Sequence, residues 1–281
     1  WFAHRAAAAQ AAQEETPAAR AEAGPAERPL GDVLDLDEIH VEFAPDLVPI
    51  VMDDATGLGA RIANMRSHVA QVYGVVIPEI RLTDEDALPP GTYAIRIQGV
   101  EIARATLEPR KALVLLGDSA DAAPPGRDVK EPVYGAPARW IDPAQQEEAA
   151  ILGLPVVSAT EVVATHLLET VKENFARLFS RRGLRKLLDS FTKVSDPQRA
   201  ESNRRILDEF IPDKVPVDLL QTILRLLLEE RVSIRNLPLI LEAIAEAKPV
   251  LGAPEAIAEH VRQRLGFQIV AELLEEDGAL P

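Results

Sequence analysis

The sequence predicts an α+β protein of several subdomains: an N-terminal α+β unit with a small inserted subdomain, followed by an all-α helical subdomain. Three observations predict it. The chain has 281 residues, more than one core usually holds. Strand signals, meaning period-two alternation and short apolar runs, are confined to residues 47–157. Beyond Phe179 apolar residues recur only at helical spacing.

Composition narrows the function. A 47% hydrophobic fraction with mixed charges describes a globular chain. The net charge of −15 argues against nucleic acid, whose phosphates need clustered Lys and Arg. With no cysteine, disulfides, thiolate metal sites and Cys nucleophiles are excluded. No apolar run approaches the ~20 residues of a membrane-spanning helix, and the start lacks the pattern of a signal peptide. The chain opens on Trp1, not methionine, so the expectation is a fragment whose N-terminal portion is missing. Trp1 and Phe2 followed by His4 and Arg5 would suit the water side of a membrane interface.

Residues 1–29 are rich in Ala, Glu and Pro and read as a linker. Leu47–Met52 reads as a strand, and the run 53–56 offers N-caps. Ile62, Met65, Val69 and Val72 then share one helix face, which Gly74 ends in the left-handed conformation. Val76–Leu82 reads as a second strand. Pro89-Pro90-Gly91 makes a turn, and Tyr93, Ile95 and Ile97 alternate as a half-buried strand. Lys111–Leu116 and Pro155–Val157 are further strands, with a small helix predicted between Trp140 and Pro155. Ser158 and Glu161 spell a capping box. The helix it starts carries the apolar stripe Ala164, Leu167, Leu168, Val171, Phe175, Leu178, with Thr165, Glu169 and Lys172 on the other face. Helices follow at 183–193, 197–210, 216–229, 235–246 and 254–265. The predicted organisation is a linker at 1–36, a first α+β subdomain at 37–108 plus 156–178, and an insert at 109–155. A helical subdomain spans 179–257, and 258–281 begins a further subdomain that is cut short.

Residue patterns for catalysis do not assemble. The five histidines are scattered, without metal-ligand spacing, and His166 reads as a partly packed imidazole on a helix. Gly57-Leu58-Gly59 lacks the third glycine of a dinucleotide loop. The acidic run Asp35-Leu36-Asp37-Glu38 lacks the glycine of a calcium loop and reads as a solvated patch. No enzyme, catalytic residue, metal or cofactor is expected. The reading of another class is a soluble enzyme acting through carboxylates such as Asp35 and Asp37. The stretch Lys130–Thr165, with an acid, a proline and a tyrosine leading into a capped helix, looks instead like a docking surface.

Several stretches together carry a resemblance: Glu131-Pro132-Val133-Tyr134-Gly135, Ala138-Arg139-Trp140-Ile141, Val162-Val163-Ala164-Thr165-His166-Leu167, and Val232-Ser233-Ile234-Arg235-Asn236-Leu237 before Ile240-Leu241-Glu242. Over about residues 30–270 the chain resembles the cytoplasmic region of the FlhA, or FHIPEP, family of type III secretion export-gate proteins. The stretches at 76–82 and 93–101 are closer to the flagellar branch than to the injectisome branch, which is the alternative within the family. The resemblance implies a bacterial inner-membrane protein whose cytoplasmic region forms a nine-membered ring. That region would receive export chaperones with their cargo and help order export during flagellum assembly. Implied partners also include the export ATPase complex and the substrate-switch gate protein. The family's chaperone pocket implies roles for Glu131, Tyr134 and Thr165, with Leu115 and Ala136 as apolar lining. Leu30 and Asp32 match a linker motif that reaches the neighbouring subunit. The family often has Asp and Phe at the positions of Glu131 and Tyr134, so charge and ring are kept while reach and polarity change. The two halves of such a pocket would lie in different subdomains, which makes their relative angle a candidate switch.

Overall fold

A computed structural model of the protein describes residues 36–53, 57–117 and 122–273. The chain divides at Leu36, and Asp37 onward forms one compact unit. The expected linker up to residue 35, Leu30, Asp32, Asp35, the capping candidates at 54–56 and the end beyond residue 273 lie outside the described residues.

The architecture is α+β, with two four-stranded sheets followed by a helical part. The first sheet has the order β2-β1-β3-β4, from β1 (Ile39–Phe43), β2 (Ile80–Asp84), β3 (Thr92–Ile97) and β4 (Val100–Thr106). β1 and β2 are parallel, so their connection needs a crossover. The helix at Leu58–Tyr73 supplies it. Gly74 ends that helix at φ 73°, where a Cβ would lie 2.8 Å from the Arg235 backbone nitrogen. Only glycine meets both demands.

The apolar run at 47–52 is not a strand. It forms a 3-10 turn at Pro45–Leu47 and the helix α1 (Val48–Val51). Pro45 and Pro49 sit in the first turns, where a missing N–H costs nothing, whereas a sheet ladder would lose donors. The strand beside it is β1, whose Ile39, Val41 and Phe43 alternate into the core. β2 starts at Ile80, after Pro78, rather than at residue 76. β3 is buried along both faces from Thr92 to Ile95, not half-buried.

The second sheet has the order β6-β7-β5-β8, from β5 (Ala112–Leu115), β6 (Gly126–Lys130), β7 (Pro137–Ile141) and β8 (Val156–Ser158). β8 pairs antiparallel with β5, Leu113 facing Val157. The strand assigned to the first unit at 156 therefore completes the second sheet. With the crossover helix as α2 and the small helix Gln146–Ile151 as α3, the capped helix is α4 (Ala159–Glu173). Ser158 Oγ accepts the Glu161 N–H at 3.2 Å, and the Glu161 carboxylate accepts the Ser158 N–H at 2.7 Å.

The helical part comprises α5 (Phe175–Leu178), α6 (Arg181–Thr192), α7 (Pro197–Phe210), α8 (Val217–Glu229), α9 (Leu237–Ala247) and α10 (Pro254–Leu273). Leu220, Leu224 and Leu227 of α8 are buried as their spacing predicts, and Val217 is half-buried. α10 runs through residue 258, with Ile257, Ala258, Val261 and Leu265 buried together, so no break falls there. One hydrophobic cluster runs from Ile39 in β1 to Leu265 in α10. Across it the Tyr73 and Phe175 rings meet edge to face at 5.0 Å, and the Ser233 hydroxyl donates to the Val72 carbonyl at 2.7 Å. The motif around Val232–Ile234 thus ties the helices to the end of α2.

Candidate functional site

The loop between β6 and β7 is built by its own first residue. Glu131 is buried, 6% exposed, and its carboxylate turns inward. It accepts the backbone N–H groups of Val133 at 2.8 Å, Tyr134 at 2.5 Å and Ala136 at 3.3 Å. The Glu131 N–H donates to the Ala136 carbonyl at 2.9 Å, and Gly135 takes φ 72° to close the turn. A carboxylate has the lone pairs to satisfy three donors at once. The Glu-Pro-Val-Tyr-Gly motif is therefore a structural unit. Glu131 is not a solvated charge; it is spent inside the loop and projects Tyr134 outward.

Tyr134 is 72% exposed. Its phenol lies near the Glu169 carboxylate of α4. Loss of solvent around the hydroxyl, and then the nearby Glu169 carboxylate, raise the phenol above its ordinary value. Glu169 in turn pairs with Lys172 at 2.8 Å. Thr165 is exposed one turn before Glu169 and one turn after Glu161, so the three share a face of α4.

Glu131, Tyr134, Thr165, Leu115 and Ala136 all line one cavity of about 240 Å³. The strand β5 supplies Leu115 and, two residues earlier on the same face, Leu113. Val157, Glu161 and Val162 complete the wall. These further residues, and Glu169, were not foreseen. The i, i+4 spacing of Glu161, Thr165 and Glu169 was the available signal. The result is an apolar dimple with a polar rim, walled by the second sheet on one side and α4 on the other.

A further pair joins β3 to α4. The Tyr93 hydroxyl sits 2.7 Å from His166 Nδ1, the rings perpendicular. Burial, and then the Glu131 charge, push the Tyr93 phenol far up. Burial lowers the His166 imidazole against the opposing pull of Glu131 and Glu173. His166 is thus partly packed, as expected. Elsewhere, Asp37 is paired with Arg81 at 3.1 Å. Among the described residues no three of His, Asp and Glu gather as a metal would require.

Sequence comparisons show a family, and structure comparisons show a shared fold. The chain matches the FHIPEP family over residues 1–281. It is 35% identical over 264 residues to the flagellar biosynthesis protein FlhA of Caulobacter vibrioides, covering 94% of this chain and 37% of that protein. The chain spans about a third of the length of the curated relatives it matches, 37% in Caulobacter vibrioides and 33% in Escherichia coli, for example. Among solved structures, CdsV in the Chlamydia pneumoniae CdsV and CdsO complex superposes with a TM-score of 0.71 at 20% identity, over 87% of this chain and 70% of that one. The nonameric EscV cytosolic domain from the type III secretion system gives 0.61 at 16% identity, over 85% and 67%. These likenesses show a common fold.

Proposed function

The chain belongs to the FHIPEP family, and from that premise we propose that it is the cytoplasmic docking platform of a flagellar type III protein export gate. On this reading it receives export chaperones carrying their cargo and helps order export while the flagellum is built. The observation that carries the reading is the convergence of Glu131, Tyr134, Thr165, Leu115 and Ala136 on one apolar dimple with an exposed tyrosine at its rim. A dimple of this kind suits the apolar face of a partner helix, with Tyr134 as a rigid anchor and Thr165 and Glu161 as polar guides. Glu131 acts as a positioning residue: it holds the loop that presents Tyr134. The site offers no nucleophile activated by a base, which favours binding over catalysis.

The flagellar branch is supported by the curated relatives, flagellar biosynthesis proteins FlhA at 31–35% identity. The nonameric state of the EscV domain supports a ring for this protein, and the CdsV–CdsO complex supports contact with further export components. Placement on the cytoplasmic side of an inner membrane belongs to the same proposal. Among the described residues no helix is long and apolar enough to cross a membrane.

The test is calorimetric titration of flagellar chaperone–cargo complexes and of needle-system chaperones against the protein. Saturable binding of the flagellar complexes is expected. No binding, or a preference for the needle-system chaperones, would overturn the reading.

A further inference from the structure

A second hollow opens on the other flank of α4. It is a groove of about 280 Å³ between α2 and α4. Buried Met65 and the half-buried Ala164 and Leu168 give it an apolar floor. Arg61, Asn64 and His68 of α2 form its polar edge, with Asn64 and His68 exposed. Thr165 lines this groove and the dimple alike.

One helical ridge separates the two hollows. On α4, Glu161 and Val162 line the dimple, Ala164 and Leu168 line the groove, and exposed Thr165 stands between them. Ala164 and Leu168 are four residues apart, so they fall on one flank of the helix. Arg61, from the groove, pairs with Glu161, from the dimple, at 3.2 Å. That pair ties α2 to α4 beside the ridge and engages the groove's arginine. What the groove offers a partner is therefore apolar shape rather than charge.

Resting on the docking reading above, we propose that a partner helix crosses α4 over Thr165 and seats two apolar side chains, one in the dimple and one in the groove. The spacing follows from helix dimensions. A helix with its side chains is about 10–12 Å across, so hollows on its two flanks lie roughly that far apart. A partner helix rising 1.5 Å per residue covers that distance in about seven residues. Its pattern is two large apolar residues at i and i+7 on one face, with a small residue at i+3 or i+4 where it passes the ridge. Thr165 acts as a saddle: its short side chain lets the crossing helix come close to both hollows. The contrasting possibility is that the groove is only the seam between two packed helices. Such a seam would not select the spacing of a partner's anchors.

The probes are fluorescein-labelled, lactam-stapled helical peptides on an alanine-rich background, followed by anisotropy against the protein. One carries two leucines seven residues apart, one carries them four apart, and one has a single leucine. Saturable binding of the first is expected, about tenfold tighter than that of the second. His68→Trp, which fills the groove from its exposed edge, should reduce the affinity of the first peptide to that of the single-leucine peptide. Asn64→Trp serves in its place if that variant loses its fold by circular dichroism. Lys193→Glu, an exposed residue beyond both hollows, should change nothing. No saturable binding, equal affinity for the two spacings, or an unchanged titration in the groove variants would overturn the proposal. Weaker binding in Tyr134→Ala but not in His68→Trp would overturn the groove and leave the dimple standing. The peptides contain no chaperone, so this proposal and the docking reading, judged on chaperone–cargo complexes, can fail separately.

Discussion

Glu131 and Tyr134 stand three residues apart and do different work. The buried carboxylate of Glu131 holds three backbone donors, while the ring of Tyr134 stands exposed at the rim of the dimple. Glu131→Ala leaves those donors without an acceptor, at a cost of about 1–3 kcal/mol. A lower Tm and a disordered loop are expected, with Glu131→Gln falling between, because its amide oxygen keeps part of the acceptor role. An unchanged Tm in Glu131→Ala would show that the loop holds itself. His166 adds a pH dependence. Its imidazole is lowered in the folded state from the ordinary 6.5, so the unfolded chain takes up a proton first. Its contribution to stability is whole above 6.5 and is lost as pH falls from there toward the lowered folded value. A melting series from pH 7.5 down to about 5.5 should fall more steeply in the wild type than in His166→Gln; parallel curves would refute this.

Among the elements, α4 carries most of the pocket's polar rim, and its start is set by Ser158. Ser158→Ala removes one half of the capping box, at a cost of about 1 kcal/mol. Faster amide exchange is expected in the first turn of α4, where Glu161 also pairs with Arg61 at 3.2 Å; unchanged exchange would mean that tertiary packing alone holds the turn. This capping box was legible because it is local: its residues lie three apart and bond to each other's backbones. The helices α8 and α9 were legible for a related reason, since each buries one regular stripe, whereas α6 buries only Leu184 and α7 no residue fully. The strands β4, β6 and β7 were not foreseen. β4 and β6 are edge strands, largely exposed, so their residues show no clean alternation. β1 does alternate, but the acidic run before it masked the pattern. The run at 47–52 was misread because an apolar stretch with prolines can pack as a short helix as well as a strand. At the pocket, the five lining residues came from resemblance to a family, not from periodicity. The inward turn of Glu131 depends on a loop conformation, and the approach of Tyr134 to Glu169 joins residues far apart in sequence, so neither left a local signal.

Taken whole, the molecule from Asp37 onward has one main core from β1 to α10, beside a smaller cluster of Ala112, Val114, Leu116, Ile141, Ala149 and Leu154 around the second sheet and α3. A single cooperative melt is expected, with near- and far-ultraviolet circular dichroism coincident. Phe175→Ala, a buried ring between α2 and the helical part, should cost about 3–5 kcal/mol and shift both signals together. Separate transitions would show that the two halves fold independently. A shared core also bears on the candidate switch. The dimple is walled by the second sheet and by α4, so any rocking of one against the other would change its width. The central claim is that Tyr134 anchors a chaperone–cargo complex through its ring. Titration of one flagellar chaperone–cargo complex against the wild type, Tyr134→Phe and Tyr134→Ala tests it most directly. The account predicts near-wild-type affinity for Tyr134→Phe and a loss of roughly 2 kcal/mol for Tyr134→Ala, with Tm unchanged. Wild-type affinity in Tyr134→Ala would contradict it.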